Sequence, residues 1–468
     1  MMDTATAARA TAGTLSGANV VFQRVTTDSR LLQAGDLFVA LKGERFDGHD
    51  FVAHAFERGA AAAIIAADRA GALAGRVAGS VLAVTDPLAA LAALAAFWRR
   101  RFALPVVGIV GSNGKTTVKE MTAAILRAEY GTEAVLSTAG NLNNEIGLPL
   151  TVLGLRTAHR AAAIEIGMNH RGETIALAGI AQPSIAIITN AQREHQEFMR
   201  SVADVAKEHA EALNALPLHG VAAINADDAH AQLWRETVDR RNAEGASIEL
   251  RDFGLEAPAA ISARHGTESW GSTVEVETPA GIARFDLRVP GRHNVANALA
   301  AIAGATAAGA RLGAVERALP AFRPVAGRLE AKVALGGAAI IDDSYNANPD
   351  SVRAAIAVLA RAPSERWLVL GDMGEVGEQG PAFHREIGEF ARAAGIERLL
   401  ATGEQTKRTV EAFGADAEHF ASIDELVPAL RGQLAIAGPD VTLLVKGSRF
   451  MRMERVVAAL TGSAAGDH

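Results

Sequence analysis

The chain has 468 residues, of which 49% are hydrophobic and 21% charged, and its formal net charge is −7. This composition is typical of a globular protein, and the length predicts two or three domains because single cores stop growing at smaller sizes. No basic run interleaved with aromatic residues appears, so we expect no nucleic-acid partner. The absence of cysteine excludes disulfides, thiolate metal sites and cysteine nucleophiles.

Two segments of the chain were candidates for membrane targeting or insertion, and neither has the required pattern. The first residues, Met1 to Gly17, lack the basic and apolar regions of a secretory signal. The longest apolar run, Leu88 to Trp98, is too short to span a bilayer. We therefore expect a cytoplasmic protein without membrane insertion.

Strand and helix patterns divide the chain into three parts, predicted as domains 1–101, 102–322 and 323–468. The first is a small α/β unit. The second alternates apolar strands with helices, which predicts a mostly parallel sheet, and its segment Thr273 to Val289 predicts a hairpin appended to that sheet. The third, beyond a predicted hinge at Pro320 to Gly327, repeats the rhythm of a Rossmann-like sheet. The predicted fold class is therefore α/β with three domains.

Individual strands are predicted from short apolar runs that end in polar or glycine residues. In chain order they are Gly35 to Leu41, Ala61 to Ala66, Val81 to Val84, Val106 to Gly111, Ala161 to Gly167, Ser184 to Asn190, Gly220 to Asn225, Ala338 to Asp343, Trp367 to Gly371, Arg398 to Thr402 and Val441 to Val445.

The sharpest motif is a strand that runs into glycines and then a helix, Val106 to Thr117. Backbone N–H groups of such a loop close around phosphate, Lys115 reaches the β- and γ-phosphates, and the Thr116 hydroxyl can bind Mg²⁺. The strict P-loop has four residues between its glycines, whereas five separate Gly108 from Gly114 here. The motif still predicts a Mg-ATP site, formed by Gly111, Ser112, Asn113, Gly114, Lys115, Thr116 and Thr117.

Polar residues follow other predicted strands, at the sheet edge where ligands bind in open α/β folds. Glu165 ends a buried strand, where a carboxylate needs either a cation such as Mg²⁺ or local N–H groups. His195 is a candidate for a second Mg²⁺ or its water, or a structural loop histidine. Asp343 precedes a polar loop that suits a ligand or a tight turn, and Lys446 to Arg449 forms a cationic edge or a solvated turn.

Together these segments resemble the Mur ligases over nearly the whole chain, from about Thr26 to Leu460. Marks shared across that family are the loop Gly111 to Thr117, Glu165, His195, Gly291 to Asn297, Gly327 to Arg328 and Asp343. Marks that resemble the branch joining D-alanyl-D-alanine are Asp28 to Arg30, Gly35 to Phe38, Phe46 to His49, Asn141 to Gly147, Glu165 to His170, Asn346 to Pro349, Gly371 to Met373 and Lys446 to Arg449.

The resemblance implies a ligase that forms carbon–nitrogen bonds in peptidoglycan precursor synthesis, using ATP and Mg²⁺. Its substrates would be UDP-N-acetylmuramoyl-tripeptide (UDP-MurNAc-tripeptide) and D-alanyl-D-alanine, and we expect a monomer. The tripeptide carboxylate would take the γ-phosphoryl group to give an acyl phosphate, which the amine of the dipeptide would then attack. Closure of the third domain would keep water from the acyl phosphate.

Residue roles follow from the same resemblance. The implied catalytic residues are Lys115, Glu165, His195 and Arg328, and the implied metal ligands are Thr116, Glu165 and His195. Asn294 and Asn297 would approach the adenine side of ATP, with Arg328 and Asp343 completing the site from across the hinge. The implied substrate-binding residues are Ser29, Arg30, Asp47, Gly48, His49, Asn143, Asn144, Asn346, Asn348, Lys446, Ser448 and Arg449.

One position departs from the family pattern. Many Mur ligases carry a carbamoylated lysine some fourteen residues after the His195 equivalent, and here the same count reaches His209. Histidine cannot form that stable carbamate, and Lys207 lies about 200° around the helix from His209. We therefore predict a metal site without carbamoyl-lysine, held by Glu165, His195, ATP and water or with help from a carboxylate such as Glu208 or Glu211.

Two other functions compete. A folylpolyglutamate synthase-like ligase resembles the central and C-terminal parts but lacks an N-terminal UDP-binding domain, so the segments around Ser29 and Asp47 count against it. A nucleotide-gated binding protein would hydrolyse ATP without regard to an amine acceptor.

Overall fold

A computed structural model describes residues 1–73, 77, 79–268 and 270–463 of the chain. Within these residues, helices alternate with strands, and the strands assemble into one small antiparallel pair and four larger sheets. No helix in this described part combines the length and the apolar character that crossing a bilayer requires. The architecture confirms the predicted α/β class.

The N-terminal part contains a mostly parallel sheet of order β2-β7-β6-β5-β4, in which only β2 runs antiparallel to its neighbour. Its elements are β1 (Met2–Asp3), α1 (Thr4–Thr11), β2 (Thr14–Ser16), β3 (Val21–Phe22), β4 (Arg24–Thr26), β5 (Asp36–Val39), α2 (Val52–Glu57), β6 (Ala62–Ala66), α3 (Ala70–Leu73), β7 (Ser80–Val84) and α4 (Pro87–Arg99).

The central part is built on a fully parallel sheet of order β13-β12-β11-β8-β10-β9. Its elements are β8 (Val106–Val110), α5 (Lys115–Tyr130), β9 (Val135–Ser137), α6 (Gly147–Leu153), β10 (Ala161–Glu165), α7 (Glu173–Ala181), β11 (Ile185–Ile188), α8 (Val202–Asn214), β12 (Val221–Ile224), α9 (Ala231–Ala243), β13 (Glu249–Leu250), β14 (Phe253–Gly254), β15 (Ile261–Glu268), β16 (Gly271–Thr278), β17 (Gly281–Leu287), α10 (Arg292–Ala307) and α11 (Leu312–Ala321).

Burial explains why the strands of the central sheet are almost entirely apolar. Alternate residues of β8 face different cores: Val106 and Val110 belong to one, Val107 and Ile109 to the other. Because helices cover both faces, a parallel sheet of this kind has no solvated side. The strand order reverses at β8, and the crevice beyond its carboxyl end is the place where such sheets bind ligands.

The predicted hairpin forms, but the prediction that it extends the main sheet is wrong. Strands β16 and β17 pair antiparallel within a separate sheet of order β14-β15-β16-β17. Its inward side chains, including Val276 and Phe285, belong to the same core as Val295 and Val315 of α10 and α11. The apolar face of a hairpin must pack against another element. Helices α10 and α11 bury this face, whereas β13, the edge strand of the main sheet, is exposed and does not.

The C-terminal part is built on a mixed sheet of order β18-β19-β23-β20-β21-β22, in which only β18 runs antiparallel to its neighbour. Its elements are β18 (Glu330–Val333), β19 (Ala339–Asp343), α12 (Pro349–Leu359), β20 (Glu365–Gly371), α13 (Gly380–Ala393), β21 (Arg398–Thr402), α14 (Thr406–Phe413), β22 (Ala417–Phe420), α15 (Ile423–Ala437), β23 (Val441–Lys446) and α16 (Glu454–Thr461). All the predicted strands are present, most of them shortened by one or two residues at their ends.

Candidate functional site

The glycine loop between β8 and α5 is held in shape by backbone geometry and by the neighbouring strand. Gly111 and Gly114 have φ of 134° and 84°, a region that favours glycine. A Cβ on Gly111 would lie 1.9 Å from Thr189 Oγ1. The Thr189 hydroxyl donates to the Asn113 carbonyl at 2.8 Å, so the segment that follows β11 helps to hold the loop in shape.

Lys115, the first residue of α5, turns back over the loop. Its Nζ donates to the carbonyls of Gly111 and Ser112, the latter at 3.1 Å, and lies 3.4 Å from Glu194 Oε2. The side chain is 16% exposed. A flexible ammonium group is therefore present at the loop, where a phosphate would need it.

Glu165 ends β10 directly beside the loop and is 2% exposed. Its Oε2 accepts a hydrogen bond from Thr116 Oγ1 and its Oε1 accepts one from Asn143 Nδ2, both at 2.8 Å. These contacts satisfy the carboxylate with neutral donors. Carboxylate and hydroxyl oxygens are the donors that Mg²⁺ prefers, so Glu165 and Thr116 fit a magnesium site on chemical grounds.

His195 lies in the loop after β11, with a positive φ of 49°. Its Nδ1 is 2.6 Å from Glu375 Oε2, and its Nε2 is 3.7 Å from Glu194 Oε2. The hydrogen bond to His195 lowers the pKa of Glu375, although burial opposes the shift. In the described part of the chain, no three His, Cys, Asp or Glu side chains are already grouped as a metal site.

Glu194 is the main polar residue of this site that the sequence interpretation missed. It is 7% exposed, and its Oε1 lies 3.3 Å from Nε2 of the buried His209. Burial raises the pKa of Glu194, but Lys115, His209 and His195 outweigh burial and lower the pKa to about 2. Its position in the loop after β11, next to His195, was the available signal.

Helix α8 confirms the predicted orientation of its lysine and corrects its carboxylates. The Lys207 side chain is 66% exposed and 3.9 Å from Asp204, away from the site. Glu208 accepts the Gly172 and Thr174 N–H groups at 3.0 and 2.9 Å, which caps α7. These contacts leave Glu208 turned toward α7, so the suggestion that it assists the metal is wrong.

The second carboxylate suggested on α8, Glu211, contacts Asn214 of its own helix. The Asn214 side-chain amide donates to Glu211 Oε2 at 3.1 Å. Neither Glu208 nor Glu211 lines the cavity described below, whereas Glu194 does. Besides Glu375 of the C-terminal part, the carboxylate near His195 is therefore Glu194 of the loop after β11 and not a residue of α8.

Residues of the C-terminal part face the glycine loop. Lys446 Nζ donates to Asp343 Oδ2 at 2.5 Å and to the Asn346 carbonyl at 2.9 Å. Burial raises the pKa of Asp343 above its usual range, although Lys446 and Arg328 oppose the shift. The Arg328 guanidinium lies 4.2 Å from the centre of the Tyr345 ring, which orients it toward the same space.

Side-chain contacts join the central and C-terminal parts around the loop. Asn113 and Asn348 exchange side-chain amide hydrogen bonds at 3.0 and 3.2 Å. Arg193 binds Asp350 and Glu386, each at 2.6 Å. Together with the His195–Glu375 pair, these contacts hold the two parts against each other.

The start of α10 forms another wall. Asn297 Nδ2 donates to Asn294 Oδ1 at 3.0 Å, and Asn294 Nδ2 donates to the Pro290 carbonyl at 2.7 Å. Burial, and secondarily Lys446, lowers the pKa of the neighbouring His293 to about 4. His293 is therefore a neutral ring at physiological pH.

These walls enclose a cavity of about 1160 Å³. The predicted site residues that line it are Ser112, Asn113, Gly114, Lys115, Thr116, Thr117, Asn143, Asn144, Glu165, His195, Asn294, Asn297, Arg328, Asp343, Asn346, Asn348, Lys446, Ser448 and Arg449. The predicted site residues outside its lining are Ser29, Arg30, Asp47, Gly48, His49 and Gly111.

The candidate substrate-binding residues of the N-terminal part contact neighbouring side chains and the backbone. Arg30, whose side chain is 87% exposed, pairs with Asp28 at 2.7 Å. His49 is buried; its Nδ1 lies 2.6 Å from Asp47 Oδ1, and its Nε2 accepts the Ala66 N–H at 2.9 Å. These contacts link the loop to β6, and the predicted roles in substrate binding stay predictions.

Comparison with known proteins agrees with this architecture. Family models match residues 21–99 (Mur ligase family, catalytic domain), 109–305 (Mur ligase middle domain) and 327–449 (Mur ligase, glutamate ligase domain). UDP-N-acetylmuramoyl-tripeptide–D-alanyl-D-alanine ligase of Escherichia coli K12 is 42% identical over 449 residues, which cover 96% of each chain.

Two solved structures are similar along the chain. MurF from Acinetobacter baumannii superposes with a TM-score of 0.87 at 31% identity, covering 98% of both chains. MurF ligase from Thermotoga maritima in complex with ADP superposes with a TM-score of 0.80 at 25% identity, covering 94% of this chain and 97% of that one. On these matches, the chain belongs to the Mur ligase family.

Proposed function

We propose that this protein is the ATP-dependent ligase that adds D-alanyl-D-alanine to UDP-MurNAc-tripeptide, acting in the cytoplasm as a monomer. The observation that carries the proposal is a cavity lined both by Lys115 of the glycine loop and by Arg328 and Lys446 of the C-terminal part. The E. coli relative named for this activity and the ADP complex of the T. maritima relative support the substrate and nucleotide assignments.

Because a carboxylate is a poor acyl donor, the proposed reaction first converts it to an acyl phosphate. The terminal carboxylate oxygen of the tripeptide attacks the γ-phosphorus, the bond to the β-phosphate oxygen breaks, and ADP leaves. The amine of D-alanyl-D-alanine then attacks the acyl carbon, loses a proton and expels inorganic phosphate. Each step gathers negative charge, which Lys115 and Arg328 stabilise.

Mg²⁺ is proposed as the accompanying cation, held by Thr116, Glu165 and His195. When bound, it would neutralise charge on the transferring phosphoryl group. The chain's own residues orient the reactants: Asn294 and Asn297 on the adenine side, and Asn143, Asn346 and Arg449 toward the peptide.

The proposed domains are residues 1–101 for the UDP end of the substrate, 102–322 for ATP and 323–468 for ligation. Sheets of different connectivity in the three parts support this division. Contacts such as Asn113–Asn348 would close the ATP domain against the ligation domain and exclude water. Parting about Pro320 to Gly327 would release product.

An acceptor panel tests the proposal. Phosphate release is measured with UDP-MurNAc-tripeptide plus D-alanyl-D-alanine, meso-diaminopimelate, L-lysine, or no acceptor. We expect strong stimulation by D-alanyl-D-alanine alone. Equal stimulation by a single amino acid would overturn the acceptor assignment, while hydrolysis that ignores every acceptor would favour a nucleotide-gated binding protein. Turnover of a folate substrate would favour the folylpolyglutamate synthase-like alternative.

A further inference from the structure

A buried carboxylate, Glu194, lies at the glycine loop without a role in the reaction described so far. It belongs to the loop between β11 and α8, is 7% exposed, and lines the cavity. A carboxylate removed from water in this way is costly unless charged or hydrogen-bonding partners surround it.

Three nitrogen atoms surround it. Lys115 Nζ is 3.4 Å and His195 Nε2 is 3.7 Å from Glu194 Oε2, while His209 Nε2 is 3.3 Å from Oε1. His209 is 1% exposed, and its Nε2 also lies 3.4 Å from Ser112 Oγ. The buried His209 ring therefore lies beside Oε1, while Oε2 faces Lys115 and His195.

Nucleotide binding would change the charges that surround the Glu194 carboxylate. Lys115 is the residue of the loop that reaches β- and γ-phosphates, and in doing so its ammonium group turns from Glu194 toward the phosphates. Among the described residues, the partners of the Glu194 carboxylate are Lys115 and two histidines, so the buried carboxylate then loses its permanently charged partner. A divalent cation that arrives with the nucleotide restores the charge balance, and carboxylate oxygen is a ligand that Mg²⁺ and Mn²⁺ prefer.

We propose that Glu194 is a ligand of the divalent cation that accompanies the nucleotide, next to His195, and that His209 is a positioning residue for it. The inference rests on the proposed function only in requiring a metal–nucleotide complex. The proposal also accounts for the departure at position 209. Histidine cannot carry a carbamate, but His209 contacts Glu194, whose side chain supplies a carboxylate without modification.

Divalent-cation binding to the full-length protein tests the proposal. Mn²⁺ is titrated into the complex with a non-hydrolysable ATP analogue and followed by electron paramagnetic resonance. Glu194→Gln keeps the shape of the side chain but removes its charge, and the matched control is Glu197→Gln, an exposed carboxylate in the same loop. His209→Gln tests the positioning role. Thermal unfolding and binding of the analogue without metal are measured for every variant.

We expect Mn²⁺ affinity in the analogue complex to fall about a hundredfold in Glu194→Gln and about tenfold in His209→Gln, with Glu197→Gln unchanged. A loss below about threefold in Glu194→Gln, or an equal loss in the control, would overturn the proposal. Should Glu194→Gln fail to fold, unchanged affinity in His209→Gln would overturn it as well. Since no acceptor or sugar nucleotide is present, a wrong ligase assignment appears only in the acceptor panel and leaves these titrations unaffected.

Discussion

The cavity beside the glycine loop and the N-terminal face use similar polar loop residues in opposite ways. Around the cavity, Lys115, Glu194 and Arg328 come from distant segments and face a shared space. On the N-terminal face, Asp47 and His49 bind each other, and His49 also accepts a backbone N–H group of β6. A polar turn can therefore serve a ligand or its own fold, and only its partners tell the two apart.

The largest effect should come from Lys115→Ala, which removes the ammonium group of the glycine loop. We expect ligation to fall by about a thousandfold or more, because Lys446, which also lines the cavity, is held by Asp343 and the Asn346 carbonyl and does not replace it at the transferring phosphoryl group. Initial rates of phosphate release measure this, with Lys207→Ala as the exposed control on α8. Activity within tenfold of wild type would mean that the loop does not act on phosphate.

The contacts between the central and C-terminal parts offer the next test. Arg193→Ala removes the partner of Asp350 and Glu386, and we expect kcat/KM to fall about ten- to a hundredfold because the two halves of the cavity no longer align. Solution scattering should show less compaction with nucleotide and substrate than in wild type.

The control for that variant is Arg353→Ala, which loses a contact with the same Glu386 but from within the C-terminal part. We expect its scattering to follow wild type. Superimposable wild-type curves with and without ligands would contradict closure about Pro320 to Gly327.

Two substitutions separate the two uses of polar residues on the N-terminal face. Arg30→Ala should raise the KM for UDP-MurNAc-tripeptide about tenfold, the loss of one hydrogen bond to a charged group, with little change in thermal stability. His49→Ala should lower the free energy of unfolding by about 1 to 3 kcal/mol, because the Ala66 N–H loses its acceptor. The opposite pattern would make His49 the ligand residue and Arg30 the structural one.

His293 predicts a smaller, pH-dependent effect on stability. Because burial, and secondarily Lys446, lowers its pKa from 6.5 to about 4, the unfolded chain takes up a proton between these values that the folded protein does not. Stability should therefore fall as the pH decreases from about 6.5 to about 4. In His293→Gln the slope should lessen by at most about one proton, ~1.4 kcal/mol per pH unit. Unfolding midpoints across this range measure it, with the exposed His54→Gln as control.

The smallest effect concerns bicarbonate, which we expect to leave the activity unchanged. Without a carbamoyl-lysine, activity in carbon-dioxide-depleted buffer should be unchanged by added bicarbonate, and Lys207→Ala should match wild type. Activity that depends on bicarbonate and disappears with Lys207→Ala would show that this lysine reaches the metal site despite its exposed position.

The sequence by itself determined the features that are contiguous in the chain. The strand β8, its glycines and the start of α5 follow one another directly, so their geometry is local and was predicted correctly. The parallel sheets follow from apolar strands alternating with helices. The motifs spread along the chain also identified the family, and the 42% identity with the E. coli relative confirmed it.

Only the tertiary structure decided which polar groups meet. Glu194 contacts His209 and Lys115, and Arg193 contacts Asp350, although these partners lie on different elements and no spacing rule links them. Likewise, the resemblance to the Mur ligases implies a substrate-binding role for His49, and only the structure shows that its side chain is buried against β6. Side-chain pairing depends on how helices and sheets pack, and packing brings together residues whose separation along the chain carries no periodic signal.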